Sequence, residues 1–373
     1  MSQIRVLVVD DSAFMRRAIS DMLDSARDVT VIKTARNGAE AVKLAGELKP
    51  DVITLDIEMP EMDGLTALRR IKRENSQANV IMISSLTTEG SVSSLQALRL
   101  GAADVIAKDH STFSTKISDI KDHLLTIVRA LAKQSHRISA ASPTDTKSTR
   151  TTRAVSSTAL THELLPTKMP SFKTNSFDVV CIGSSTGGPP ILETILTAIP
   201  ENFTLPVVVA QHMPKLFTQS MATRLDGICN LPVVHAEDRM SIEGGHIYIA
   251  PGGQHTHLQK TISHRYRFAV NSKPEEAVYK PSVDALFTSA ANTFGARSLS
   301  VVLTGIGEDG KVGATNLSAK GAKIIAQHPD TCVVYGMPKA VTNAKLIEAS
   351  LKPEQIAECL ANIVGTSVTK QAG

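Results

Sequence analysis

Residues 177–190 read FDVVCIGSSTGGPP. A β-branched run stops at Gly183, two serines and a threonine follow, and then come two glycines and two prolines. A strand pattern thus gives way to a helix start with almost nothing between, as in the βα turn of an open parallel sheet. Pro189 and Pro190 suit a first helical turn, where backbone N–H groups lack intrahelical partners. Small residues flank Ser185, so the chain can turn tightly and leave its hydroxyl exposed, the G-x-S-x-G pattern of a presented nucleophile. The competing reading is a phosphate cradle. A Walker loop needs Gly-Lys-Ser/Thr, and no lysine follows Gly188. A dinucleotide fingerprint needs a G-x-G start, which GSSTGG lacks. The amides of the turn could still meet an anion at the helix N-terminus.

The same alternation extends both ways. Ahead of this turn, the apolar runs IRVLVVD, VTVIKTA, DVITLDI, NVIMISS and ADVIAK are separated by amphipathic stretches such as SAFMRRAISDMLDS and GLTALRRIKREN. After it come PVVVAQH, LPVVHAE, HIYIAPG, SLSVVLTG and AKIIAQ, again mixed with helical patterns. Strands alternating with helices predict parallel sheets covered by helices. Between the two sets, residues 134–176 lose apolar periodicity. Ser and Thr supply 17 of these 43 residues, and only Asp145 and Glu163 are acidic, which marks a basic tether. The expected fold is two doubly wound α/β domains, residues 1–130 and 177–367, joined by a flexible Ser/Thr-rich linker over 131–176.

Bulk properties narrow the function classes. A length of 373 residues is too great for one ordinary core. Aromatic residues make up 3% and tryptophan is absent, which disfavours base-stacking surfaces. The net charge of +4 implies no polyanionic partner, so no nucleic acid is expected. No helix-turn-helix signal stands in the second half. Cys181, Cys229, Cys332 and Cys359 are too dispersed for a disulfide framework or zinc site and suit a reducing compartment. The N-terminus enters a strand pattern directly, and no apolar stretch is long enough to span a bilayer. The expectation is a cytoplasmic protein that is not membrane-inserted.

In the first domain, Asp10 and Asp11 end the first strand pattern, Asp56 the third, Ser84 the fourth and Lys108 the fifth. Ligands of an open parallel sheet bind beyond the carboxyl ends of its strands, so these side chains should converge. Three close carboxylates repel unless a cation neutralises them, and hard oxygen ligands suit Mg²⁺. A carboxylate beside Mg²⁺ can attack phosphorus and become an aspartyl phosphate. Lys108 could pair with that phosphoryl group and Ser84 could hydrogen-bond it. Each residue alone could be structural, and DDS could be only a helix cap.

In the second domain a serine needs a base. VVVAQHMP puts His212 at the end of the next strand pattern, on the same edge as Ser185. The histidine needs an acid to fix its tautomer. SVVLTGIGEDG ends a later strand in a glycine-rich loop that carries Asp309, with Glu308 beside it as the rival acid. The order Ser185, His212, Asp309 is not that of α/β-hydrolases. His255 and His257, one residue apart, could share a strand face as a metal pair, with no third ligand in view. Asp284 in KPSVDALF reads as orienting a helix start. His235, His246, His264 and His328 read as surface or packing residues.

VLVVDDSAFMRR, DVITLDIEMPEMDG and GAADVIAK resemble a response-regulator receiver domain, which is flavodoxin-like with five parallel strands. The resemblance makes Asp56 the phosphoacceptor, with Asp10, Asp11 and the backbone carbonyl of Glu58 holding Mg²⁺. Ser84 and Lys108 take the switch and phosphate-pairing roles. Two positions depart from the pattern: Asp109 stands for the usual proline, and Val105 for the usual aromatic switch residue. IGSSTGGPP, VVVAQHMP, YIAPGGQH, YKPSVDALF, VVLTGIGEDG and VVYGMPKA resemble the Rossmann-like catalytic domain of the CheB protein-glutamate methylesterases. That resemblance makes Ser185 the nucleophile, His212 the base, Asp309 its orienting acid and the Ile306 amide an oxyanion-hole donor. Methionine is usual at 306 and histidine is frequent where Tyr279 stands. It implies chemotaxis adaptation: hydrolysis of glutamate methyl esters and deamidation of glutamines on methyl-accepting chemoreceptors. Phosphorylation by a chemotaxis histidine kinase controls it, and the esterase step uses no cofactor. The expected regulation is occlusion of the Ser185 mouth by the unphosphorylated receiver.

Overall fold

The computed structural model describes residues 3–108, 117–140, 165–173 and 175–363. The first domain runs β1 Ile4–Val9, α1 Ala13–Asp24, β2 Val29–Ala35, α2 Gly38–Leu48, β3 Val52–Asp56, α3 Gly64–Glu74, β4 Val80–Ser85, α4 Thr88–Arg99, β5 Asp104–Lys108 and α5 Ile117–Ala140. Its five strands are parallel in the order β2-β1-β3-β4-β5. The order reverses between β1 and β3, and there the acidic strand ends lie, as in other doubly wound sheets. Ser12 caps α1 by accepting from Met15 N, so the capping reading of DDS holds for Ser12 and leaves the two aspartates free of that role.

The second domain continues with β6 Val179–Ser184, α6 Gly188–Thr197, β7 Val207–Gln211, α7 Lys215–Asp226, β8 Val233–His235, β9 Ile247–Ile249, β10 His255–Lys260, β11 Tyr266–Asn271, α8 Val283–Thr293, β12 Ser298–Val302, α9 Lys311–Ala319, β13 Lys323–Gln327, α10 Met337–Asn343, β14 Ala349–Leu351 and α11 Pro353–Ile363. Seven strands form a parallel sheet in the order β14-β13-β12-β6-β7-β9-β8. The chain winds outward in both directions from β6, so the switch point lies between β6 and β12. The β6 strand is buried along its whole length, as a central parallel strand with helices on both faces must be. Apolar side chains fill both faces: Val180, Ile182, Val209 and Val301 in one cluster, Cys181, Val208, Ala210 and Val302 in the other.

Three features differ from the sequence expectation. The α5 helix continues to Ala140, so the first ten residues of the expected linker are helical. Residues just before 177 lie on the second domain: Pro166 O accepts from Ser350 N, and Phe172 meets Phe177 edge-on at 5.1 Å. The Ser/Thr-rich stretch 141–164 lies outside the described residues, as do Asp109 and residues 364–367. Finally, β10 and β11 form an antiparallel hairpin outside the main sheet.

Candidate active site

Strand register assembles the site. The β6 and β7 strands pair with Ser184 opposite Gln211, so the next residues, Ser185 and His212, emerge side by side. On the other flank β12 pairs with β6, and Ser185 N donates to Thr304 O. Gly187 has φ 76°, and a Cβ there would strike Val333, so the turn requires glycine. Gly305 approaches Ser185 so closely that a Cβ there would lie 2.7 Å from the Ser185 Cβ. This brings the 305–309 loop, with Ile306 next in line, against the serine.

Three hydroxyls crowd the turn, and two are occupied. Ser184 Oγ donates to Gln211 Oε1 at 2.6 Å, and Thr186 Oγ1 donates to Asp104 of the first domain. The same Gln211 amide donates to Ser185 O at 2.9 Å and reaches His212 O at 3.3 Å, tying the two backbones together. Ser185 is left as the hydroxyl without such a commitment.

His212 Nε2 lies 2.8 Å from Asp309 Oδ2. The carboxylate can only accept, so Nε2 carries the proton and Nδ1 keeps its lone pair. His212 Nδ1 is buried with no hydrogen-bond partner. The Ser185–His212 hydrogen bond is therefore not formed in this structure, although the two residues end neighbouring strands; catalytic contacts are often long without substrate. Asp309 is held far more firmly. Its oxygens accept from Ser282 Oγ and from the amides of Val283, Asp284 and Gly310, at 2.7–3.0 Å. Burial alone would raise its pKa. The His212 hydrogen bond, the histidine's charge and the α8 amides outweigh burial and bring it down to about 2.

Glu308 does not compete: it is largely exposed and pairs with Lys311 at 2.9 Å. Asp284 lies in the first turn of α8, where its carboxylate accepts from Gly313 N. Burial, with Asp309 nearby, pushes it up to about 6. The contacts of His255 and His257 do not favour a metal pair. Nε2 of each faces a backbone carbonyl, of Pro274 and Lys273 respectively, so neither nitrogen is free for an ion. Sequence reading left the role of Tyr279 open. Its ring stacks on His212 with centroids 4.3 Å apart and planes 11° apart. With four strands between them in the chain, the sequence gives no signal of that contact.

In the first domain Asp10, Asp11 and Asp56 bring carboxylate oxygens within 4.8 Å of one another. Lys108 Nζ lies 2.8 Å from both Asp10 and Asp56. Burial pushes Asp56 up to about 6 against the pull of Lys108. Three close hard-oxygen donors, two of them buried and Asp11 exposed, fit a divalent cation such as Mg²⁺. The Ser84 hydroxyl donates to Gly90 O of α4 at 3.1 Å, and Ser85 rather than Ser84 meets the Glu58 side chain.

The CheB methylesterase family model matches residues 180–360, and the response regulator receiver domain model matches residues 6–115. The protein-glutamate methylesterase/protein-glutamine glutaminase 1 of Oleidesulfovibrio alaskensis is 43% identical over 370 residues, covering 97% of this chain and 99% of that one. The chain belongs to the CheB methylesterase family. A protein-glutamate methylesterase/protein-glutamine glutaminase of Thermotoga maritima is also similar, 40% identical over 361 residues, covering 97% of this chain and 98% of that one.

In this CheB family member the receiver sits on the mouth of the second domain. Leu95 and Leu98 of α4 enter the same apolar cluster as Leu192 and Ile195 of α6. Ser91 and Ser220 hydroxyls meet at 2.6 Å, and Arg99 pairs with Glu193 at 3.3 Å. Ile306 and Val334 join the cluster of Ala103, Ile106 and Leu124. Val105, at the aromatic switch position, is partly buried against the interdomain cluster. The His123 ring meets Tyr279 edge-on at 6.4 Å. Burial between the domains raises the pKa of Asp104 and lowers that of His123. Ser185 is 5% exposed. Among the described residues, no helix is long and apolar enough to cross a membrane.

Proposed function

We propose that this chain hydrolyses glutamyl methyl esters, and deamidates glutamines, on the cytoplasmic domains of methyl-accepting chemoreceptors, under control of receiver phosphorylation. One observation carries the reading. The His212–Asp309 pair fixes the imidazole tautomer and leaves the Nδ1 lone pair open beside the Ser185 turn. Ser185 Oγ attacks the ester carbonyl as His212 Nδ1 takes its proton. The amide of Ile306 donates to the tetrahedral oxyanion, a contribution of about 3–4 kcal/mol for one such donor. The imidazolium returns the proton to the leaving oxygen and methanol departs. Water, activated by the same Nδ1, then cleaves the acyl-enzyme, leaving a glutamate carboxylate. A glutamine follows the same path with ammonia as the leaving group. Every proton is handled by His212, so the ester chemistry calls on no cofactor.

Asp56 is the proposed phosphoacceptor, with Asp10, Asp11 and the Glu58 carbonyl holding Mg²⁺. The cation supplies charge to neutralise phosphoryl oxygens. Lys108 pairs with them, and Ser84 exchanges Gly90 O for a phosphoryl oxygen. That exchange acts on α4, the helix seated on α6 and α7, and so favours an undocked receiver with Ser185 uncovered. The phosphodonor is a chemotaxis histidine kinase and the compartment is the cytoplasm.

The test is methanol release from esterified receptor membranes. A small phosphodonor with Mg²⁺ should stimulate the wild-type chain by about tenfold or more, equivalent to about 1.4 kcal/mol of shifted equilibrium. Asp56→Asn should keep the unstimulated rate and lose the stimulation. No release from wild type under either condition sinks the reading.

A further inference from the structure

Residues 272–282 form a strap between β11 and α8, and one side chain holds it at both ends. His255 is fully buried at the start of β10. Its Nε2 lies 3.0 Å from Pro274 O, and its Nδ1 accepts from Ser282 N at 3.1 Å. Pro274 O can only accept and Ser282 N can only donate, so His255 has a single workable state: neutral, with the proton on Nε2. Between those two anchors the strap carries Tyr279, whose ring stacks on His212. The far anchor, Ser282, caps α8 and donates its hydroxyl to Asp309, and the next two amides also donate to Asp309. The strap is fixed further by His257 on Lys273 O and by Gly253 N on Lys280 O.

We propose that His255 is a positioning residue for the esterase reaction: by pinning Pro274 and Ser282 together it seats Tyr279 on the base and the α8 amides on Asp309. This rests on the assignment of Ser185, His212 and Asp309 above. His255 touches no reacting atom and acts through Ser282 and the strap. Burial holds its imidazole below its ordinary pKa, which keeps the required neutral form. Its charged and titratable neighbours are His257 and Lys280, which disfavour the imidazolium, and Asp309, which favours it.

Two substitutions separate the two anchors. An asparagine oxygen can stand where Nδ1 stood and still accept from Ser282 N. A glutamine amide can stand where Nε2 stood and still donate to Pro274 O, but it leaves Ser282 N without its acceptor. In the full chain, stimulated by phosphodonor and Mg²⁺, His255→Gln should lower kcat by about tenfold to a hundredfold, as small misplacements of catalytic groups do. KM should stay within about twofold. The acid limb of its pH–rate profile should move to lower pH, because a loosened Asp309 supports the His212 imidazolium less. His255→Asn, which keeps an acceptor for Ser282 N but releases Pro274 O, should leave the acid limb in place and lower kcat by less than His255→Gln does. A role confined to hairpin stability would lower the thermal midpoint of both variants and leave kcat per folded molecule and the acid limb unmoved; that result overturns the inference. In the wild-type chain at neutral pH, ¹⁵N NMR should show His255 neutral with its proton on Nε2, and a proton on Nδ1 would equally overturn it. Wild type without methanol release, or release that survives Ser185→Ala, points instead to failure of the underlying assignment.

Discussion

Ser185→Ala should nearly abolish methanol release, lowering kcat by about 10⁴ or more and leaving only the small residual rate that an oxyanion hole and substrate binding supply without a nucleophile. The substitution deletes one hydroxyl from a turn otherwise held by backbone contacts, Ser185 N to Thr304 O and Gln211 Nε2 to Ser185 O. Both survive the change, so the thermal midpoint should move by no more than about 2–4 °C, the shift expected for about 1 kcal/mol in a domain of this size. Neighbouring hydroxyls give no rescue. Ser184 is fully buried with its hydroxyl on Gln211, and Thr186 is turned to the receiver through Asp104. The assay is methanol release from esterified receptor, with and without a small phosphodonor plus Mg²⁺. An alanine variant that retains more than about a tenth of the wild-type rate would mean that the nucleophile lies elsewhere, since nucleophile losses in serine hydrolases are far larger.

Much of this site could be read before any coordinates, for a specific reason. In a parallel sheet the functional residues sit where strand patterns stop, and strand patterns are visible as apolar runs. Asp10, Asp56, Ser84 and Lys108 all stand at such stops, as do Ser185 and His212. The register between β6 and β7 then places the last two side by side without further information. The choice of Asp309 over Glu308 was harder, because both stand in one loop. The N-terminus of α8 favours Asp309, since its amides face that carboxylate while Glu308 is exposed and pairs with Lys311.

What escaped the sequence reading depends on contacts between segments that carry no pattern of their own. The β10–β11 hairpin has no Asn-Gly or Asp-Gly turn signal, so His255 and His257 stood out only as alternating ligand types. Their carbonyl partners lie in an irregular strap that no periodicity announces. The domain interface is equally silent. Asp104 reads as an ordinary polar residue at the start of a strand, and nothing local says that Thr186 of another domain will meet it. The length of α5 was underestimated because its last turns, over 134–140, are polar and merge in composition with the Ser/Thr-rich stretch that follows. Ile306 was read for its amide alone. Its side chain also packs against the receiver, so an aliphatic residue at that position serves the docked state as well.

Asp309→Asn is the sharpest test of the electrostatic half of the site. In wild type the carboxylate accepts from the Ser282 hydroxyl, three backbone amides and His212. An asparagine has one oxygen and one NH₂. The amides of Val283 and Asp284 approach different oxygens, so one of them must face the NH₂ group whichever way it turns. If the NH₂ group turns toward His212, it drives the imidazole to the opposite tautomer, with the proton on Nδ1 and no lone pair for Ser185. The loss in kcat should be about 10⁴, the size seen when an orienting aspartate becomes asparagine in serine hydrolases, with KM little changed. Stability should respond as well. The folded-state pKa of about 2 lies below the ordinary aspartate value near 3.9, so the ionised carboxylate stabilises the native state above about pH 4. That stabilisation fades as pH falls through about 2. Unfolding of wild type between about pH 2 and 4 should therefore lose a contribution of the order of 2 kcal/mol that the asparagine variant never had, and the two stability curves should converge toward the acid end. Glu308→Gln is the matched control and should leave kcat within about twofold, because its exposed pair with Lys311 contributes little. A Glu308→Gln loss as large as that of Asp309→Asn, or an Asp309→Asn variant with more than about a tenth of wild-type kcat, would move the orienting acid away from residue 309.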